Sequence, residues 1–186
     1  MTRGRGFTLI ELVVILAVAV VLLTLAVPGF QALIQNNRLA TQANEFITAL
    51  NLARSEAIKR GIRVTVCKSI NQTACTAGGD WRQGWIVFTD QDNDAAKDPN
   101  ELILHAHDAL SSGNTLTGNS TVDDYISYNA SGFSQLSSAS GGFQAGSLRL
   151  CDARGNTSSR IIVINRLGRV RVSINTGVTA STPACL

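Results

Sequence analysis

The sequence predicts an α+β fold in which one long N-terminal helix lies on antiparallel β-sheets. Three observations carry the prediction. Residues Leu12 to Val27 are apolar throughout except Thr24, and apolar residues then recur at three- and four-residue steps as far as Ile58. Beyond Gly61 the chain breaks into short alternating segments separated by Gly-, Ser- and Asn-rich turns. All of these segments follow the helix, with no internal repeat and no interdomain linker. A chain of 186 residues has room for one such domain plus an anchor.

The helix comes first. Phe7 to Val27 reaches roughly 30 Å as a helix, enough to cross a bilayer. No small-residue cleavage site closes the run, as a secretory signal would require; it ends at Val27-Pro28-Gly29-Phe30. Arg3 and Arg5 predict a cytoplasmic N-terminus and a body on the far side of the membrane. Glu11 interrupts the apolar span, and a carboxylate there is expensive enough to mark a functional position. After Pro28, where a bend is expected, Phe30, Leu33, Ile34, Ala40, Ala43, Phe46, Ile47, Leu50, Ala53, Ala57 and Ile58 form one face. Gln35, Asn36, Arg38, Gln42, Glu45, Asn51, Arg54, Glu56 and Lys59 form the other. Gly61 reads as the C-cap, behind Lys59 and Arg60 in the favourable last turn. Strands are predicted at 64–68, 85–89, 102–107, 124–128, 147–151, 160–165 and 169–174, with 131–146 as a loop or hairpin tip.

The basic leader, Gly6, Phe7 and then Glu11 together resemble the class III signal of type IV prepilins. The resemblance implies that a prepilin peptidase cuts after Gly6 and methylates the new amine of Phe7. It also implies that Glu11 pairs with the N-terminal amine of a neighbouring subunit inside the assembled filament, where either charge alone would be costly to bury. On that reading residues 1–6 are a leader, 7–28 a transmembrane and assembly helix, 29–61 its amphipathic continuation and 62–186 a periplasmic β-rich domain. The subunit would sit in the inner membrane and pass, with other major and minor pilins, into a pilus at the cell surface.

Asn51-Leu52-Ala53-Arg54-Ser55-Glu56-Ala57-Ile58-Lys59-Arg60-Gly61 followed by Val64-Thr65-Val66-Cys67 narrows the resemblance. It is similar to the FimT/GspH group of minor pilins and pseudopilins, in which A-R-S-E-A-I-x-R ends the helix and a strand follows. Trp81-Arg82-Gln83-Gly84-Trp85-Ile86-Val87-Phe88-Thr89-Asp90 is similar to the W-x-x-G-W-x-V-F-x-D block of the same group.

Cys67, Cys75, Cys151 and Cys185 contain no C-x-x-C pair, so zinc is not expected; an even count outside the cytoplasm favours disulfides. Four cysteines allow three connectivities. Cys67–Cys75 with Cys151–Cys185 is preferred because it leaves each half of the body locally closed, with buried free thiols as the alternative. No enzymatic signature occurs: G-x-S-x-G, H-E-x-x-H and phosphate-cradling glycine loops are all missing, and His105 and His107 beside Asp108 read as structural. No cofactor is expected. Asp90, Asp92, Asp94, Asp98 and Glu101 place oxygens at positions 1, 3, 5, 9 and 12 of a calcium-loop count. Ala95 in place of the turn glycine, Pro99 within the loop and a preceding strand argue against it. An acidic, solvated turn and no metal is therefore the expectation.

Charge is distributed unevenly around a net +3. The 90–124 stretch is acidic, whereas Arg149, Arg154, Arg160, Arg166, Arg169 and Arg171 face only Asp152 in the C-terminal part. Asn165-Arg166-Leu167-Gly168-Arg169-Val170-Arg171-Val172 reads as a hairpin. Arg169 and Arg171, two apart on a strand, point to one side about 7 Å apart, close to the spacing of successive phosphates on a DNA strand. Gly168 would allow a close backbone approach, while the plainer alternative is two arginines on the wet face of an edge strand. Gly168-Arg169-Val170-Arg171 resembles the G-R-x-R motif of FimT-type pilins that bind DNA in natural transformation. The resemblance implies weak, sequence-indifferent contact with double-stranded DNA through Arg169 and Arg171, with Arg166, Arg160 and Arg154 as auxiliary phosphate contacts. The alternative is a subunit that primes or caps a pilus or secretion pseudopilus without any such ligand.

Overall fold

The computed structural model describes residues 6–137, 141–174 and 182–185. Compactness divides the chain into two units, one up to Arg38 and one from Leu39 onward.

The first unit belongs to α1 (Leu9–Arg60), which begins behind a Thr8 N-cap rather than at Phe7. The Thr8 side-chain oxygen accepts the Glu11 amide at 3.3 Å, so Thr8-Leu9-Ile10-Glu11 satisfies an otherwise orphaned donor. Pro28 lies inside α1 without ending it. The apolar stretch is long enough to cross a membrane, and none of it is buried within the chain.

In the second unit, Leu39, Ala43, Phe46, Ala49, Leu50, Ala53 and Ala57 recur on one face of α1 and are all buried. Gln42, expected on the wet face, is buried with them and bonds Asn114 Nδ2 at 2.7 Å. Ile58, expected on the apolar face, is exposed. Gly61 ends the helix at φ +68°, donating to the Ala57 carbonyl at 3.0 Å.

Eight strands follow: β1 (Arg63–Lys68), β2 (Trp85–Asp90), β3 (Ile103–His107), β4 (Thr115–Gly118), β5 (Tyr125–Tyr128), β6 (Gly146–Cys151), β7 (Arg160–Ile164) and β8 (Val170–Ile174). They pair antiparallel into two four-stranded sheets, β3-β2-β1-β5 and β4-β6-β7-β8. One core joins α1 to both sheets through Val64, Val66, Val87, Ile126, Leu116, Leu148, Leu150, Ile162 and Ile164. Its centre is aromatic, with Phe46 edge-on to Trp81 at 5.1 Å and to Trp85 at 5.0 Å. The W-x-x-G-W block is therefore core-building. Gly84 between the tryptophans sits at φ +108°, and a Cβ there would stand 2.6 Å from the His107 carbonyl oxygen.

Strand β2 is buried at every position because both faces are covered. Trp85 and Val87 face the main core, while Ile86 and Phe88 pack with Cys67 in a smaller cluster that Cys75 joins. Cys67 is bonded to Cys75, and Cys151 to Cys185.

Candidate nucleic-acid interface

The segment between β7 and β8 is a hairpin with a three-residue loop, Arg166-Leu167-Gly168. The Gly168 amide donates to the Asn165 carbonyl at 2.9 Å, and the Asn165 amide to the Arg169 carbonyl at 3.1 Å. This is a type I turn closed by a left-handed residue, the geometry that favours glycine at the last loop position. Gly168 takes it, at φ +72°. Asn165 braces the loop from inside, its Oδ1 accepting the amides of Leu167 and Arg169, both at 3.0 Å.

Gly168 does not serve a ligand in the way its sequence suggests. It is buried, and a Cβ there would stand 2.4 Å from the Gly132 carbonyl oxygen and 3.0 Å from Tyr128 Cε1. The close approach is internal. The same Gly132 carbonyl accepts Arg54 Nε at 2.9 Å, so the hairpin turn sits against a loop that is tied to the end of α1. The neighbouring Tyr128 hydroxyl is buried without a hydrogen-bond partner, and burial pushes it well above its ordinary value.

The arginines separate into three groups. Arg166, Arg169 and Arg171 are exposed, and among the described residues no acidic side chain pairs with any of them. Arg171 opposes exposed Val163 across the β7–β8 ladder, on the outer face of the sheet. Arg166 lies over the Phe143 ring, 5.9 Å from its centroid, a cation–π contact that leaves an exposed aromatic surface beside the charge. Sequence reasoning left Phe143 in an unassigned loop; its one signal was an aromatic residue inside a Gly/Ser-rich stretch.

Two auxiliary assignments are corrected. Arg160 opposes Ile174 and shares the side of β7 that carries core residues Ile162 and Ile164, so strand alternation turns it away from Arg171. Arg154 is held by Asp152: its Nη2 is 2.6 Å and its Nε 2.9 Å from Asp152 Oδ2. Burial pulls the Asp152 carboxyl upward, but the hydrogen bonds from Arg154 leave it below its ordinary value. A third arginine in the basic count, Arg149, is fully buried. It donates to Ser159 Oγ at 3.1 Å, Asn156 Oδ1 at 3.4 Å and Thr182 Oγ1 at 2.9 Å. The Cys151–Cys185 bond pins the segment that supplies Thr182.

The remaining predicted positions lie elsewhere. Gly6, Phe7 and Glu11 are exposed at the start of the first unit. His107 stacks on Trp85 at 4.0 Å and reaches Glu45 at 3.3 Å, while His105 is exposed on the same edge strand. The acidic loop follows β2 in the other sheet, and it is not uniformly solvated: Asp90 and Glu101 are buried.

The family model described as Type II transport protein GspH matches residues 42–168. The Pilin-like protein PilA1 of Thermus thermophilus is 38% identical over 109 residues, covering 58% of this chain and 61% of the relative. The Type IV major fimbrial protein FimA of Dichelobacter nodosus is 24% identical over 86 residues, covering 46% of this chain and 45% of the relative. The match thus spans less than two thirds of each of these curated relatives. The crystal structure of the type IV minor pilin FimU of Pseudomonas aeruginosa superposes with a TM-score of 0.58 at 18% identity, covering 79% of this chain and 96% of that one. A second crystal form gives 0.56 at 17% identity. These two likenesses concern the fold, one N-terminal helix on antiparallel sheets.

Proposed function

Since this chain belongs to the GspH family, we propose that it is a minor type IV pilin that holds extracellular DNA through Arg166, Arg169 and Arg171. The observation that carries the reading is the exposure of three guanidiniums on one braced hairpin, without carboxylate partners among the described residues. Arginine forks bind phosphate oxygens bidentately and stay charged at every relevant pH. Phe143 beside Arg166 adds a ring face on which an unpaired base could stack. On the same reading a prepilin peptidase releases the leader after Gly6, the Phe7 amine is methylated, and Glu11 meets the amine of a neighbouring pilin. Those steps rest on the residues at the N-terminus and the family.

A second reading is favoured by the family's own description as a type II transport protein: a pseudopilin that helps to build a secretion filament and binds no nucleic acid. One titration separates the two. Full-length protein in detergent is titrated into labelled duplex DNA and followed by fluorescence anisotropy at several salt concentrations. Replacing Arg169 and Arg171 together with glutamine is expected to cost about 2 to 4 kcal/mol of binding. It is also expected to flatten the slope of log affinity against log salt by about 1.8. Arg154→Gln and Asp92→Asn serve as controls expected to leave affinity unchanged. Equal affinity of the double variant and wild type at matched salt would overturn the DNA reading and leave the pseudopilin.

A further inference from the structure

Asp90 ends β2 and is fully buried. Its Oδ2 accepts Thr65 Oγ1 at 2.7 Å and the Ala95 amide at 3.2 Å. Its Oδ1, equally buried, has no hydrogen-bond partner. A carboxylate oxygen removed from water and left without a donor is among the more expensive features a core can hold. The Arg63 charge acts on Asp90 but makes no hydrogen bond to it. That guanidinium is engaged by Asn93 Oδ1 at 3.0 Å, the Gln135 carbonyl at 3.3 Å and Ser127 Oγ at 3.5 Å.

Two further carboxylates gather at the same residue. One carboxylate oxygen from each of Asp90, Asp92 and Asp94 lies within 4.8 Å of the other two, and Asp92 and Asp94 are exposed. Three like charges converge here, with the Arg63 charge opposing them.

We propose that Asp90, Asp92 and Asp94 form a calcium site. The donors are all hard oxygens, which excludes thiophilic metals and leaves Mg²⁺, Ca²⁺ and Mn²⁺. Oxygens within 4.8 Å of one another fit around Ca²⁺, whose ligands at roughly 2.3 to 2.6 Å stand at most about 5 Å apart across the ion. Mg²⁺ keeps several waters and is held by one or two carboxylates, a poorer match to three converging ones. The site is not an EF-hand. Glu101, at the position where that loop has its bidentate ligand, has both oxygens engaged by backbone amides, from Gln91 at 2.7 Å and Asp98 at 3.0 Å. Ala95 meanwhile adopts φ +63°, the left-handed turn for which a calcium loop has glycine, which removes the sequence objection raised by its side chain. With three carboxylates and water completing the shell, affinity is expected in the range of extracellular modules, about 10⁻⁴ to 10⁻³ M.

The test uses full-length protein in detergent, stripped with EDTA and melted by differential scanning calorimetry in EDTA, in 10 mM CaCl₂ and in 10 mM MgCl₂. Calcium is expected to raise Tm by about 5 °C, and magnesium by clearly less. Asp92→Asn/Asp94→Asn, which changes only exposed side chains, is expected to abolish the calcium response while its Tm in EDTA stays level or rises. No calcium response in wild type, an undiminished response in the double variant, or an equal response to magnesium would each overturn the assignment.

Discussion

At residue 168 the chain has no room for a side chain, and at residues 169 and 171 the side chains are exposed. Gly168→Ala must relieve both a φ of +72° and a contact of 2.4 Å with the Gly132 carbonyl, so it is expected to cost about 2 to 3 kcal/mol in chemical denaturation. Arg169→Gln, by contrast, should change stability by less than about 0.5 kcal/mol. The G-R-x-R motif is therefore divided between packing and exposed charge, and only exposure distinguishes the two. The sequence carried the period of two and the glycine, but not the partner of the glycine, which lies in a distant loop. The same holds for Asp90, where an exposed-looking D-x-D-x-D run hides one residue inside the sheet. Its folded-state carboxyl titrates above the unfolded value, so its contribution to stability is present below about pH 4 and is lost as pH rises through the folded value. In EDTA, Asp90→Asn should accordingly gain on wild type in Tm as pH is raised from about 4 to 7. The calcium shift of wild type should grow over the same interval.

Elements with strong periodicity were legible. The helix ended at Arg60 as its charges and Gly61 indicated, and seven strands fell within two residues of their predicted bounds. Strand β4 was missed because Thr115-Leu116-Thr117-Gly118 offers one apolar residue between turn-forming neighbours; pairing with β6, not propensity, makes it a strand. Arg149, which the sequence reading only counted among the basic residues, is buried for a related reason. Its strand alternation implies a wet outer face, but the Cys185 segment covers that face, and no local pattern announces a cover supplied from the far end of the sequence. Removing the Cys151–Cys185 bond by Cys185→Ser is thus expected to cost about 3 to 4 kcal/mol, and removing Cys67–Cys75 nearer 2.5, since the loops they close differ in length. Differential scanning calorimetry of the two single variants checks the order. Loss of the first bond should also speed hydrogen exchange around Arg149.

For the molecule as a whole, hydropathy marked an apolar helix to Val27 and an amphipathic face from Phe30, whereas the buried core begins only at Leu39, with Phe30, Leu33 and Ile34 exposed. Calorimetry of Glu11→Gln protein should match wild type, because Glu11 is exposed and its amide, not its carboxylate, takes the Thr8 cap. The proposed assembly role predicts that the same variant is absent from sheared filaments while still present in membranes, as immunoblots of the two fractions would record. Intact-mass analysis of wild type should find a chain beginning at Phe7, and a Met1-initiated mass in cells with active peptidase would refute the processing step.

The contact between Gly168 and Gly132 has a mechanical meaning. Gly132 offers its carbonyl to Arg54, within the last two turns of α1, so a ligand held by the hairpin is one backbone contact and one hydrogen bond away from the helix. On the proposed DNA reading, a phosphate held at the hairpin turn would sit over a loop that is itself hydrogen-bonded to α1 at Arg54.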